Sequence, residues 1–111
     1  MAKDDEHVIQ REIVRALRAD GLLVFAIPNG GARNVVTATR LKAEGVTAGV
    51  PDLFVADFGG FFLEVKTNAG SLSRAQREMS AGLALRGYLV HTVRSPDDAR
   101  RAARYHKEKW K

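Results

Sequence analysis

Pro51-Asp52-Leu53-Phe54-Val55-Ala56-Asp57-Phe58-Gly59-Gly60-Phe61-Phe62-Leu63-Glu64-Val65-Lys66 is the stretch whose reading decides the fold. Residues 52–57 read as a strand, Phe58-Gly59-Gly60 as the turn and residues 61–66 as the returning strand, so a hairpin is expected. The second run carries apolar side chains on both faces (Phe61, Phe62, Leu63, Val65), which places it centrally in a sheet. Alternate side chains of a strand share a face, so Glu64 and Lys66 project together and Val65 points the other way. With a turn symmetric about Gly59, Asp52 lies opposite Lys66 and Phe54 opposite Glu64. Asp52 is then on the same face, one diagonal step from Glu64. Shifting the turn could reverse that parity, so this register is an assumption.

Outward from the hairpin, Leu22-Leu23-Val24-Phe25-Ala26-Ile27 reads as a short buried strand, broken by Pro28-Asn29-Gly30-Gly31. Before it, Ile9, Ile13, Ala16 and Leu17 recur at helical spacing over residues 4–20, with Asp4 or Asp5 as cap and Gly21 as stop. A short helix is expected over residues 34–44. Residues 73–86 form another, capped by Ser73 and stopped by Gly87. Tyr88-Leu89-Val90-His91-Thr92-Val93 reads as a strand. Ser95-Pro96-Asp97-Asp98 starts a final basic helix that runs to about residue 109. The order α-β-α-β-β-α-β-α calls for a small mixed β-sheet flanked by helices, an α/β fold, within one domain spanning residues 1–111.

The chain has 111 residues, 45% of them apolar, and no cysteine, which removes disulfides, zinc knuckles, iron–sulfur clusters and thiol nucleophiles from consideration. No apolar run approaches the length of a membrane span. The acidic start Met1-Ala2-Lys3-Asp4-Asp5-Glu6 has no apolar signal core, so a cytoplasmic location is expected. Net charge is +5, unevenly spread: residues 1–70 hold 8 basic and 9 acidic side chains, residues 71–111 hold 10 and 4. With a pI near 10.0, a polyanionic partner is expected, nucleic acid first.

Two carboxylates converging at the end of a hairpin repel one another unless a cation lies between them. Hard oxygen donors without a histidine cluster suit Mg²⁺ or Mn²⁺, and the Val65 carbonyl offers a further oxygen. A lysine beside such an ion can hold the attacking water or offset charge growing on a phosphate, parts that suit phosphodiester hydrolysis. The plain alternative is that Glu64 and Lys66 form a salt bridge. Charges on a central strand are costly unless satisfied, which weighs against it. Pro28-Asn29-Gly30-Gly31-Ala32-Arg33 reads either as a simple turn or as a phosphate cradle clamped by Arg33. Arg40 and Lys42 on the next helix would extend that contact. Ala99, Ala103, His106 and Trp110 line the inner stripe of the last helix, with basic residues opposite. Arg101 and Arg104 are its candidate DNA contacts. His91 reads as structural. No Gly-x-Ser-x-Gly elbow, Walker loop or Gly-x-Gly-x-x-Gly fingerprint is present.

Pro51-Asp52 followed by Glu64-Val65-Lys66 resembles the active-site motif of the PD-(D/E)xK nucleases. Pro28-Asn29-Gly30-Gly31-Ala32-Arg33, the run from Leu41 through Gly45-Val46-Thr47-Ala48-Gly49-Val50-Pro51-Asp52-Leu53, Gly70-Ser71-Leu72-Ser73-Arg74-Ala75-Gln76 and Leu85-Arg86-Gly87-Tyr88 extend the match. Together they resemble the VRR-NUC family in its stand-alone phage and bacterial form, over residues 6–105. The resemblance implies a restriction-endonuclease-like core and a metal-dependent DNA endonuclease, often acting on branched substrates such as Holliday junctions and leaving 5′-phosphate and 3′-hydroxyl ends. It implies Asp52, Glu64 and the Val65 carbonyl as ligands of Mg²⁺ or Mn²⁺, with Lys66 as catalytic lysine. An acid on the first helix completes such a site: Glu6, beside Gln10, is favoured over Glu12. Gln76 lies near the site in the family, yet it also completes a capping box with Ser73, and both roles stay open. Asn29, Gly30, Gly31, Arg33, Arg40, Lys42, Arg74, Arg101 and Arg104 are the expected DNA contacts. Symmetric nicking of a four-way junction needs two active sites, so a C2 homodimer is expected. No small-molecule cofactor or membrane is expected. The rival readings are a non-catalytic nucleic-acid-binding module and a structural accessory protein of a phage or mobile element.

Overall fold

A computed structural model describes residues 2–28 and 35–110. Its elements follow the expected order: α1 (Ala2–Ala19), β1 (Val24–Ala26), α2 (Val35–Ala43), β2 (Leu53–Val55), β3 (Phe61–Val65), α3 (Arg74–Leu85), β4 (Val90–Val93) and α4 (Pro96–Lys109). The strands form one mixed sheet in the order β1-β2-β3-β4. The first two pairings are antiparallel and β3–β4 is parallel, joined by the α3 crossover. β3 is therefore internal, as its apolar faces require. No described helix is long and apolar enough to cross a membrane.

One face of the sheet carries the core. Val24, Leu53, Val55, Phe61, Leu63, Val65 and Val93 are buried against Ile13 and Leu17 of α1 and Ala99, Ala102 and Ala103 of α4. The small α4 side chains let that helix lie close. Arg100 ties it to α1, its Nε and Nη2 donating to the Asp20 carboxylate at 2.8 and 3.1 Å. Ser95 caps α4 by accepting from the Asp98 amide at 3.1 Å, with Pro96 in the first turn. His91 packs edge-on to Phe61, its Nε2 2.7 Å from Nε2 of His106, which stacks on the same ring. Trp110 folds back over the hairpin turn, where a Cβ on Gly59 would come within 2.9 Å of its ring.

The structure corrects three sequence readings. α1 begins at Ala2, so neither Asp4 nor Asp5 stands at its cap. β1 is not a buried strand. It lies at the sheet edge, with Val24 buried but Leu23 and Phe25 exposed. The hairpin register also differs: Phe54 pairs with Phe62, not Glu64, and Val55 pairs with Phe61. Phe58 itself takes a left-handed φ of 56° ahead of Gly59 and Gly60. That conformation is uncommon for a bulky residue. The turn thus centres one residue earlier and every partner moves by two. A shift of two preserves parity, so Asp52 still shares the Glu64 face, now directly across from it by extension of the ladder.

Candidate functional site

Opposite the core lies a second sheet face. Phe25, Phe54 and Phe62 form a ring-to-ring row across it, with centroids 5.7 and 4.8 Å apart. One step along, where β2 begins and β3 ends, the same face carries Asp52 and Glu64. Glu64 is 3% exposed and is the buried charged residue of the described chain.

Asp52 is fixed through its backbone and its side chain. Its carbonyl accepts from the Ile27 amide at 2.8 Å, and its Oδ2 accepts from the Val65 amide at 2.8 Å. The approach to Asp52 is set by Gly49, at φ 86°, where a Cβ would lie 2.3 Å from the Ala75 carbonyl oxygen. Only glycine lets this loop touch the first turn of α3.

Glu64 is held from the α3 side. Ser73 accepts from the Gln76 amide at 3.1 Å, and Gln76 Oε1 accepts from the Ser73 amide at 2.9 Å, a complete capping box. With its oxygen so engaged, the Gln76 amide turns Nε2 toward Glu64 and donates to Oε2 at 2.9 Å. The two roles open in the sequence are thus one arrangement: the cap orients the amide that holds the carboxyl.

Burial pushes the Glu64 carboxyl up to about 8. A hydrogen bond with Asp52, the Asp52 charge and, more weakly, the Glu6 charge add to the rise, and Lys66 opposes it. Lys66 is half-buried, and its stem passes over Gly70, where a Cβ would lie 3.4 Å from Lys66 Cδ. Glu6 is half-buried on α1 and near enough for its charge to be felt, whereas Glu12 is exposed and has no such influence. Gln10 is half-buried. No group of three or more His, Cys, Asp or Glu side chains suited to a metal gathers among the described residues. The acidic centre is the Asp52–Glu64 pair.

Sequence reasoning missed Arg94. Its Nη1 donates to the carbonyls of Thr67 and Gly70, the latter at 2.9 Å, while its backbone amide donates to Asp98 Oδ2 at 2.8 Å. It thus pins the loop that follows Lys66 to the start of α4. An arginine just before a Ser-Pro-Asp-Asp helix start is the only local signal, and its target lies 24 to 27 residues away.

The expected nucleic-acid contacts fare variously. Asn29, Gly30, Gly31 and Arg33 lie outside the described residues. Arg40 and Lys42 are exposed on α2. Lys42 borders a groove of about 1300 Å³ between α2 and α3 that includes Gln76. Arg74 pairs with Glu78 at 2.9 Å and Arg101 with Asp98. Arg104 is exposed.

Comparison with solved structures brings out a VRR_NUC domain protein, 23% identical, with a TM-score of 0.61, covering 77% of this chain and 67% of that one. The fold is VRR-NUC-like. No family model matches the chain, and no curated protein matches it. The mixed four-stranded sheet flanked by helices thus agrees with the restriction-endonuclease-like core that the motif series implied.

Proposed function

We propose that this protein is a divalent-metal-dependent nuclease that hydrolyses DNA phosphodiester bonds and selects branched substrates such as Holliday junctions. The observation that carries the reading is the acid pair. Asp52 and Glu64 meet across two paired strands at a buried position, where Glu64 stays protonated to about 8. A pair whose joint ionisation is costly without a cation suits a metal site. Two carboxylates, with neither histidine nor cysteine beside them, fit Mg²⁺ or Mn²⁺, which keep much of their water. The VRR-NUC-like fold supports the same reading.

Asp52, Glu64 and the Val65 carbonyl would hold the ion, with Glu6, not Glu12, supporting it through water. A divalent cation bound there supplies Lewis-acid stabilisation of the negative charge that grows on the phosphate. The chain's own groups do the rest. Gln76 orients the Glu64 carboxyl. The Val65 amide fixes that of Asp52. The Lys66 ammonium holds the attacking water in line with the scissile bond and offsets developing charge. Two such sites in a C2 dimer would nick a junction symmetrically.

Cleavage of a labelled four-way junction and a matched duplex, in Mg²⁺, Mn²⁺ or EDTA, tests this. Wild type is expected to cut only with metal and to prefer the junction. Lys66→Ala is expected to lose at least about 100-fold in rate, as the loss of a positioned charge-stabilising donor does, while keeping its affinity for DNA. Metal-independent cutting, or binding without cutting in any metal, overturns the proposal.

A further inference from the structure

We propose that the exposed flank of α1 formed by Arg11, Arg15 and Arg18 grips the phosphate backbone of the nucleic acid that enters the Asp52–Glu64 site. The proposal rests on the nuclease reading for the identity of the polyanion, but the measurement that tests it does not involve cutting.

α1 buries Ile13 and Leu17 and receives Arg100 of α4 on the side of Ala16 and Asp20. At 100° per residue, His7, Arg11, Arg15 and Arg18 fall together on the other flank, away from α4. They border a shallow groove of about 480 Å³ floored by Gln10 and Val14. From His7 to Arg18 this ridge is about 16 Å long. Its near end is the turn that bears Glu6, whose charge is felt at Glu64. Its far end is anchored where Arg18 Nη2 donates to the Val24 carbonyl at 3.2 Å.

Arg11 and Arg15 are exposed and form no ion pair or hydrogen bond among the described residues. Like charges one helical turn apart repel, so packing supplies no reason for them, and a line of phosphates does. The basic helix that the sequence put forward, α4, has already committed much of its charge. Arg100 is held by Asp20, Arg101 by Asp98, and Lys109 lies over the Tyr105 ring. The net charge of residues 1–70 is −1, and that average hides the α1 ridge.

The test measures binding of a labelled duplex in EDTA across a salt series, in the Lys66→Ala background. Arg11→Ala/Arg15→Ala is expected to raise Kd at least tenfold at about 100 mM salt and to lower the slope of log K against log salt by about 2. Arg11→Lys/Arg15→Lys is expected to keep the slope, and Arg101→Ala/Arg104→Ala to weaken binding less than the α1 alanine pair. A double alanine variant that melts like its parent, binds within about twofold of it and keeps its slope overturns the proposal. An Arg11→Gln/Arg15→Gln pair gives the same reading should the alanine variant fold poorly. Failure of the nuclease reading shows elsewhere, as wild-type protein that never cuts with metal.

Discussion

Glu64 is the buried charged side chain on which the proposed chemistry turns. Its carboxyl is protonated to about 8 in the folded chain, against 4.5 as its ordinary value. A carboxyl whose folded value is raised adds to stability in full below pH 4.5, and that contribution is lost as pH rises toward about 8. In EDTA the melting temperature is therefore expected to fall across this window. Mg²⁺ or Mn²⁺ is expected to restore it most at the alkaline end. Glu64→Gln keeps the shape without the charge, so it is expected to flatten the alkaline limb, abolish the metal response and abolish cutting. Differential scanning fluorimetry against pH, with and without metal, measures all three. A wild-type curve flat from pH 5 to 8 in EDTA would count against the coupled pair.

Among the elements, the loop before β2 and the first turn of α3 act as one unit. Asp52 and Gln76 come from segments more than 20 residues apart, yet Gly49 touches Ala75 and brings them together. Gly49→Ala drives a methyl group into a backbone carbonyl at a left-handed φ. It is expected to cost about 2 kcal/mol or more and to weaken metal response more than core packing. Chemical denaturation and a metal titration separate those effects. Gly49 stands in the motif run as one more small residue, and nothing local shows that its neighbour is α3. Gln76 is the converse case: its capping box was legible from Ser73-Arg74-Ala75-Gln76, whereas its bond to Glu64 required the crossover.

At the scale of the whole molecule, the two sheet faces have separate duties. The α1–α4 layer buries one face and supplies the stability, while the other carries the acid pair, with Gln76 of α3 against Glu64. Leu17, fully buried between α1 and the sheet, shows the division. Leu17→Ala is expected to cost about 2–5 kcal/mol while the metal dependence of cutting persists in the fraction that remains folded. Urea unfolding and rate measurements at low temperature check this. A selective loss of metal response at unchanged stability would show that the two faces are not independent.

The sequence by itself determined the order of elements, the central place of β3, the capping of α3 and α4 and the common face of Glu64 and Lys66. These follow from periodicity and local hydrogen bonding, which act over a few residues. Parity survived a wrong register because the alternation of a strand repeats every two residues. Only the tertiary structure decided that Asp52 sits directly across from Glu64, that β1 is an edge and that Arg94 pins the loop after Lys66. It also decided that Arg11 and Arg15 of α1 stand unpaired among the described residues while Arg100 and Arg101 of α4 are paired. Those facts depend on which distant groups meet, and the energy of such meetings is not written in any local window of the chain.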